Sequence, residues 1–360
     1  MTQESENDFL RGHHFLLFTF YLLLLTDMNK LLTQLKNRKG EWISGEALSR
    51  DMGITRSAVW KQIRGLKARG YGIESSTRKG YRFLSAPDLL LSEEIRTGLR
   101  TRVFGRGDIL CFPEVDSTNN RAKTLAEAGA PEGTVVFAEA QASGRGRRGR
   151  AWFSRPGSGI YMSLVLRPDM PPVEAPRITL MSSVAVAEAL IDAVSLEVKI
   201  KWPNDLLAGG KKIAGILTEI STEMDSINYV IVGIGINVGH RPEDFPPDIR
   251  KTAGSIFSET GKTPPRTELI RDVLFHFERD YLELQAKGFG QIRKRWSGLS
   301  GILGRNVVID APRGRIRGLA ESVDDDGALL VRDRNGVLRR LFSGDVFIAG
   351  SPDEPRPGRR

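Results

Sequence analysis

Cysteine, histidine and long apolar runs are scarce in this sequence of 360 residues. The single cysteine, Cys111, excludes an intrachain disulfide and agrees with a reducing, cytoplasmic location. Cys111 stands among apolar residues, which favours a core thiol over a nucleophile. The four histidines show no spacing with cysteine or acidic residues that is typical of a zinc or iron centre. No metal ligand is therefore assigned from the sequence.

An apolar run, FLLFTFYLLLL, occupies residues 15–25. It is too short to span a bilayer, which needs about 20 residues. Its flanks are not basic enough for a signal peptide, and no small-residue cleavage site follows. The remaining interpretation is a start codon assigned too early, with Met28 as the natural start. Residues 1–27 are then a non-native or disordered extension, a chain starting at Met28 is expected to be active, and no membrane association is predicted.

Basic charge is what the sequence has in excess, because 53 Lys and Arg against 44 Asp and Glu give a formal net charge of +9. Such a balance favours anionic partners, either nucleic acid or phosphorylated substrates. Apolar residues make up 40% and charged residues 27%, which is ordinary for a globular protein. The length suggests two or three domains.

Residues 28–84 have the pattern of a winged helix-turn-helix domain. Apolar spacing predicts helices over residues 28–37, over residues 44–52, and from a cap at Thr55 or Ser57 to about residue 69. Two short strands, 71–75 and 81–84, enclose a turn that forms the wing. The third helix and the wing carry the predicted DNA-binding residues Arg56, Ser57, Trp60, Lys61, Arg64, Arg78 and Lys79. An ordinary solvated basic helix is the alternative interpretation.

Residues 88–300 alternate between strand and helix patterns and predict an α+β domain with a mixed sheet. The predicted strands are residues 109–114, 134–140, 159–166, 198–201, 213–220 and 229–237. The predicted helices are residues 121–128, 175–194 and 268–285. Residues 301–349 contain four short strands with turns at Arg313-Gly314, Asp326-Gly327 and Asn335-Gly336, which predicts a small SH3-like β-barrel. The tail, residues 350–360, is rich in Pro, Gly and Arg and is predicted to be disordered.

Four segments of the central domain combine residues that suit an anionic ligand. GRGRRGRAW (144–152) follows a predicted strand, and its glycines expose backbone N–H groups while its arginines offer forked donors. KWPNDLLAGGKKIAGI (201–216) places charges around a turn at Gly209-Gly210. GIGIN (233–237) lets a partner pack on strand backbone, and DSTN (116–119) precedes a helix. Each has a simpler explanation: a solvated basic loop, a surface ion pair, close strand packing or a helix cap.

Taken in order, these segments closely resemble the bifunctional biotin–protein ligase and biotin operon repressor family. The N-terminal SGEALSRDMGITRSAVWKQI and KGYR are similar to that family's winged helix, and the resemblance runs from about residue 28 to residue 349. It implies that biotin and ATP form biotinyl-5′-AMP, with Mg²⁺, and that biotin passes to a lysine of the biotin carboxyl carrier protein. It also implies operator DNA as a partner and a homodimer when the adenylate is bound.

The resemblance also implies roles for individual residues. The catalytic set is Lys212, Arg147, Arg148 and Asp205. The biotin set is Ser117, Thr118, Asn119, Gln141, Gly144, Arg145, Gly146, Arg147, Lys212, Gly215, Gly233 and Gly235, with the three strand glycines leaving room for the bicycle. The nucleotide set is Arg148, Trp152, Asn204, Lys212 and Asn237. Two alternatives keep the same fold: a lipoate-type ligase, and a biotin-sensing transcription factor without ligase activity.

Overall fold

The computed structural model describes residues 30–312, 314–351 and 354. The chain divides into two compact units, the first ending at Asp88 and the second beginning at Leu89. The predicted extension over residues 1–27, the turn residue Arg313 and most of the tail lie outside the described residues. Among the residues described, no helix is both long and apolar enough to cross a membrane.

The first unit is a helix-turn-helix followed by a β-hairpin. Its elements are α1 (residues 30–37), β1 (Trp42–Ile43), α2 (Gly45–Met52), α3 (Arg56–Ala68), β2 (Gly72–Ser76) and β3 (Gly80–Ser85). The Ser44 hydroxyl caps α2 by accepting from the Ala47 amide at 3.0 Å, and Thr55 caps α3 by accepting from Ala58 at 3.2 Å. Thr55, not Ser57, is therefore the cap of α3. The sequence does not predict β1, because two residues are too few to show alternation.

The second unit is built on a seven-stranded mixed sheet in the order β4-β5-β6-β10-β9-β8-β7. The strands are β4 (Ile109–Val115), β5 (Val135–Gln141), β6 (Gly159–Leu166), β7 (Lys199–Lys201), β8 (Asp205–Ala208), β9 (Lys211–Glu223) and β10 (Ser226–Asn237). Strands β4 and β5 are parallel, whereas the other neighbours are antiparallel. The mixed sheet is thus confirmed. Strand β8 is missed because its four residues are too short to show a pattern.

Helices cover both faces of this sheet. They are α4 (Ser92–Arg96), α5 (Thr118–Glu127), α6 (Pro176–Val194), α7 (Ile256–Thr260), α8 (Arg266–Lys287) and α9 (Gly290–Leu299). Helix α5 buries Ala122 and Ala126 against β5, β6 and β10, and α6 and α8 belong to the larger core cluster. Helix α5 begins at Thr118 rather than at the predicted residue 121, so that Thr118 and Asn119 form its first turn. Helices α4, α7 and α9 are not predicted from the sequence.

The C-terminal part is a five-stranded antiparallel sheet in the order β14-β13-β12-β11-β15. Its strands are β11 (Asn306–Ala311), β12 (Gly314–Val323), β13 (Leu329–Asp333), β14 (Leu338–Leu341) and β15 (Asp345–Ile348). Val307, Val331 and Val346 join the same buried cluster as the central sheet. The predicted fold class is confirmed, and the structure adds β15, a short strand that the sequence pattern does not show.

Candidate active site

A cavity of about 410 Å³ lies on the face of the central sheet that carries α5. Tyr229 and Ile231 of β10 pack under α5, and Gly233 and Gly235 continue the same alternating row without side chains. The predicted site residues that line the cavity are Ser117, Thr118, Asn119, Gln141, Arg145, Gly146, Arg147, Trp152, Asn204, Asp205, Lys212, Gly215, Gly233, Gly235 and Asn237. Gly144 and Arg148 are predicted site residues that do not line it.

The strand glycines make room for side chains of the protein itself. A Cβ atom at Gly235 would lie 2.5 Å from the Trp152 ring, and one at Gly215 would lie 2.9 Å from it. A Cβ atom at Gly233 would overlap with the Asn119 amide. The expectation that these three glycines leave room for a ligand stays a prediction, and the side chains that lie directly over them are those of Trp152 and Asn119. A ligand in the cavity would contact those two side chains.

One end of the cavity is a hydrogen-bonding pocket at the start of α5. The Gln141 Oε1 atom accepts from the Thr118 amide at 2.9 Å and from its hydroxyl at 3.1 Å. The Gln141 Nε2 atom donates to Ser154 at 3.0 Å. The Ser117 side chain is buried but makes no capping bond to α5. This end therefore offers several fixed polar groups to a small polar ring.

The arginine loop, residues 144–152, brings Arg147 to the cavity. The Arg147 guanidinium donates to Asn204 Oδ1 at 3.0 Å, and the Asn204 amide donates to the Ile216 carbonyl at 2.9 Å. Burial lowers the pKa of Arg147, although nearby Asp345 and Asp205 oppose this effect. Because an arginine stays protonated in proteins, this poorly solvated cation would gain by meeting an anion.

Two other arginines of the loop bind the C-terminal sheet. Arg148 donates to Asp345 Oδ2 at 3.0 Å and to the Asp310 carbonyl at 3.3 Å. Arg150 forms an ion pair with the other oxygen of Asp345. Arg148 has a φ of 56°, a left-handed conformation that is uncommon for a residue with a side chain. The structure therefore places Arg148 on Asp345, in contrast to the expected position over the nucleotide.

Lys212 and Asp205 face each other across the β8–β9 hairpin. The turn uses Gly209 and Gly210, whose φ angles are +54° and +79°, as the sequence predicts for a tight hairpin. The Lys212 ammonium lies 2.6 Å from the Asp205 carboxylate and 5.3 Å from the centre of the Trp152 ring. The indole N–H of Trp152 is buried and makes no hydrogen bond to any described residue. The cavity therefore contains the Lys212 ammonium close to the Trp152 indole, whose N–H group is available to a ligand.

Several cavity residues are not found by sequence reasoning. They come from the start of β15, from the residue before it and from the segment after β10, and they are Gly344, Asp345, Val346, Phe347, Phe245, Ile249, Thr252 and Ala253. The Asn237 amide fixes that segment by donating to the Gly254 carbonyl at 2.9 Å. No sequence signal links residue 345 to residue 148, since they meet only through the fold.

The described cysteine and histidines lie outside the cavity lining. Burial raises the pKa of the Cys111 thiol to about 12, so the thiol stays protonated, in agreement with a core role. His240 and His276 are both buried. Among the residues that the structure describes, no three His, Cys, Asp or Glu side chains gather into a metal site.

Comparison with known proteins identifies related chains over most of the length. Residues 111–237 match the Biotin/lipoate A/B protein ligase family, residues 28–82 an HTH domain, and residues 302–348 the Biotin protein ligase C terminal domain. A bifunctional ligase/repressor BirA of Bacillus subtilis is 40% identical over 325 residues, covering 90% of this chain and 98% of that protein. The chain belongs to the bifunctional ligase/repressor family.

Two further relatives support this membership. The bifunctional ligase/repressor BirA of Escherichia coli is 31% identical over 321 residues, covering 89% of this chain and 96% of that protein. The structure of the biotin protein ligase from Aquifex aeolicus in complex with biotin and ATP superposes with a TM-score of 0.59 at 30% identity. It covers 67% of this chain and 98% of that one.

The first unit of this ligase/repressor presents a basic surface on α3 and the hairpin. Val59, Ile63 and Leu66 are buried on one side of α3. Trp60 is 52% exposed, and the Arg64 guanidinium lies 4.8 Å from the centre of its ring. The exposed residues on this surface are Arg56, Ser57, Trp60, Lys61, Arg64, Arg78 and Lys79, which are the predicted DNA contacts.

Proposed function

We propose that the chain is an ATP-dependent biotin–protein ligase and a biotin-responsive repressor of biotin genes. It forms biotinyl-5′-AMP and transfers biotin to one lysine of the biotin carboxyl carrier protein of acetyl-CoA carboxylase. The observation that carries this proposal is the cavity in which Arg147 and Lys212 converge beside a neutral hydrogen-bonding pocket. In this proposal residues 28–84 bind DNA, residues 88–300 carry the ligase site and residues 301–349 complete it.

The chemistry needs positioned cations rather than a nucleophile on the protein. The biotin carboxylate attacks the α-phosphorus of ATP, the bond from that phosphorus to the bridging oxygen breaks, and pyrophosphate leaves. Negative charge grows on the phosphate oxygens in the transition state. Lys212 and Arg147 are the cavity cations suited to that charge, and Asp205 orients Lys212 through their 2.6 Å contact. Holding the reactants close supplies the rest of the acceleration.

We assign the two ends of the cavity to the two substrates. The biotin end has Ser117, Thr118, Asn119, Gln141, Gly215, Gly233, Gly235 and the backbone of residues 144–146. The nucleotide end has Trp152, Asn204, Asn237 and Lys212, and Arg148 reaches phosphate only if it leaves Asp345. The indole N–H of Trp152 is buried without a hydrogen-bond partner among the described residues, so it could donate to a ligand that lies between the two ends.

The carboxylates of the cavity fit magnesium that arrives with ATP. Magnesium is bound through one or two carboxylates together with substrate phosphates. Asp205 is a cavity carboxylate and would hold the ion beside the phosphates. The bound ion would neutralise part of the triphosphate charge.

Repression rests on the exposed basic face of α3 and on the wing. A winged-helix domain contacts bases with the second helix of its helix-turn-helix, which is α3 here, and contacts phosphates with its wing. One such module makes few contacts, so we propose that the adenylate-bound form is a homodimer on paired half-sites of operator DNA.

Biotin transfer to an acceptor domain tests the enzyme directly. The protein is incubated with biotin, ATP-Mg and the carrier domain, and the acceptor is weighed by mass spectrometry. We expect one biotin on the parent acceptor and none on an acceptor whose target lysine is arginine. Lipoate in place of biotin tests the alternative that the protein is a lipoate-type ligase. A protein that attaches neither biotin nor lipoate to the acceptor would be a biotin sensor at most.

A further inference from the structure

Glu219 of β9 binds two side chains of the cavity lining that belong to different segments of the chain. Its carboxylate accepts from the Arg145 guanidinium at 2.9 Å through Oε1 and at 2.7 Å through Oε2. The Asn119 amide donates to the same Oε2 atom, also at 2.7 Å. One carboxylate thus joins the arginine loop to the first turn of α5. Glu219 itself does not line the cavity.

Asn119 is held in one orientation by its other contacts. Its Oδ1 atom accepts from the Ser163 hydroxyl at 2.6 Å, and its amide also donates to the Leu217 carbonyl at 3.3 Å. Ser163 is fully buried, and its Oγ also lies 2.8 Å from the Thr118 hydroxyl, so its single proton serves one of these two acceptors at a time. Rotation of the Asn119 amide by half a turn would place N–H groups against Ser163 and an oxygen against Glu219.

The hydrogen bonds form a path that begins and ends in the arginine loop. It leaves the loop at Arg145, crosses Glu219 and the start of α5, and returns through Gln141. Gln141 donates to Ser154, which donates to the carbonyl of Trp152 at 3.2 Å. The path therefore encloses the hydrogen-bonding end of the cavity, and Glu219 is its link between loop and sheet.

We infer that Glu219 is a positioning residue for biotin, a role that rests on the proposed function. It sets the orientation of Asn119 and holds Arg145 of the loop over the same end of the cavity. A glutamine at this position keeps an oxygen for Asn119 but loses the charge that Arg145 binds. An alanine loses both contacts, so the two substitutions separate the hydrogen bond from the ion pair.

The expected effect is specific for biotin. Hydrogen bonds to charged groups contribute more than neutral ones, but this pair is partly exposed, so we expect Glu219→Ala to raise KM for biotin by roughly five- to thirtyfold. KM for ATP should change less than about twofold, because the nucleotide end lacks these contacts. Glu219→Gln should give an intermediate value.

Biotin-dependent pyrophosphate exchange by the full chain tests this role. KM for biotin and for ATP are measured for the parent, Glu219→Ala, Glu219→Gln and Arg145→Gln. The matched control is Glu223→Ala, an exposed carboxylate two alternations further along β9. Arg145→Gln should reproduce the effect of Glu219→Gln, and combining the two should add little.

The experiment distinguishes a wrong positioning role for Glu219 from a wrong ligase function for the protein. A parent protein without biotin-dependent exchange would refute the ligase itself. An active parent with an unchanged KM for biotin in Glu219→Ala would refute only the positioning role. Equal increases in both KM values would also refute it, since they indicate general disruption. If Glu219→Ala does not fold, Glu219→Gln and Arg145→Gln decide by the same criterion.

Discussion

At the scale of single residues, Lys212 is a cavity cation whose ammonium lies 2.6 Å from the Asp205 carboxylate. We expect Lys212→Ala to lower adenylate formation by roughly a hundredfold or more, because one lost donor to developing charge costs about 3–4 kcal/mol. Lys211→Ala is the control, since Lys211 precedes it on β9 and does not line the cavity. Pyrophosphate release by Lys212→Ala within a few-fold of the parent would contradict the assignment.

Arg147 is a loop arginine that lines the cavity and donates to Asn204 Oδ1 at 3.0 Å. We expect Arg147→Gly to release biotinyl-AMP roughly ten- to a hundredfold faster, because a charge-assisted hydrogen bond contributes about 1.5–3 kcal/mol. The escaped anhydride would then modify lysines of unrelated proteins. A streptavidin blot of a protein mixture measures this, with Arg147→Lys as the control that keeps the charge. Labelling confined to the true acceptor would argue against Arg147 as the clamp.

His240 is a buried imidazole whose protonation opposes folding. Burial lowers its pKa from about 6.5 to about 4, while Asp244 opposes the shift, and its ring stacks on Phe245 at 5.1 Å. The unfolded chain therefore binds the proton more readily, so stability present above pH 6.5 is lost as the pH falls towards 4. The loss is on the order of 3 kcal/mol.

His240→Phe removes this titration and keeps an aromatic ring in the cluster. We expect the free energy of unfolding of the variant to fall less steeply than that of the parent between pH 6.5 and 4. Urea titrations at several pH values measure both slopes. Parallel curves for the two proteins would show that His240 does not contribute to the pH dependence.

At the scale of elements, the arginine loop depends on β15. Asp345 holds both Arg148 and Arg150, so Asp345→Asn keeps the shape of the side chain but removes the charge that both arginines bind. We expect faster trypsin cleavage within residues 144–152 and a KM for ATP raised roughly three- to tenfold, as partly exposed ion pairs contribute little individually.

Another ion pair of the same C-terminal sheet gives the matched control. Glu321 pairs with Arg332 away from the loop, so Glu321→Gln should change neither the cleavage rate nor KM. If Asp345→Asn behaves like Glu321→Gln, the loop does not need its contact with β15.

At the scale of the whole molecule, the ligase and DNA-binding functions share one ligand. We expect biotin with ATP to tighten binding to the protein's own biotin-gene promoters, because the proposed adenylate-bound dimer would engage two half-sites. Coupling is reciprocal, so operator DNA should also tighten adenylate binding. Footprints with and without both substrates, alongside sedimentation of the protein, measure the two effects. Footprints of equal strength would contradict the dependence of DNA binding on biotin and ATP. An absence of footprints would contradict DNA binding by the exposed face of α3 at these promoters.

The sequence by itself determined the elements whose cause is local. Apolar spacing and caps define α2 and α3, Gly209 and Gly210 define the β8–β9 turn, and long apolar runs define β6 and β10. Four short motifs carry the resemblance to the family, and their segments contain most of the residues that line the cavity. These features depend on residues close together in the chain, so they can be read without a fold.

Only the tertiary structure decided which distant residues meet. Asp345 lies 197 residues from Arg148 and Glu219 lies 100 from Asn119, and neither pair leaves a periodic or spaced signal. The same holds for Trp152, whose place over Gly215 and Gly235 depends on the register of the two strands β9 and β10. Local propensity cannot specify such contacts, because their free energy exists only after the sheets have packed.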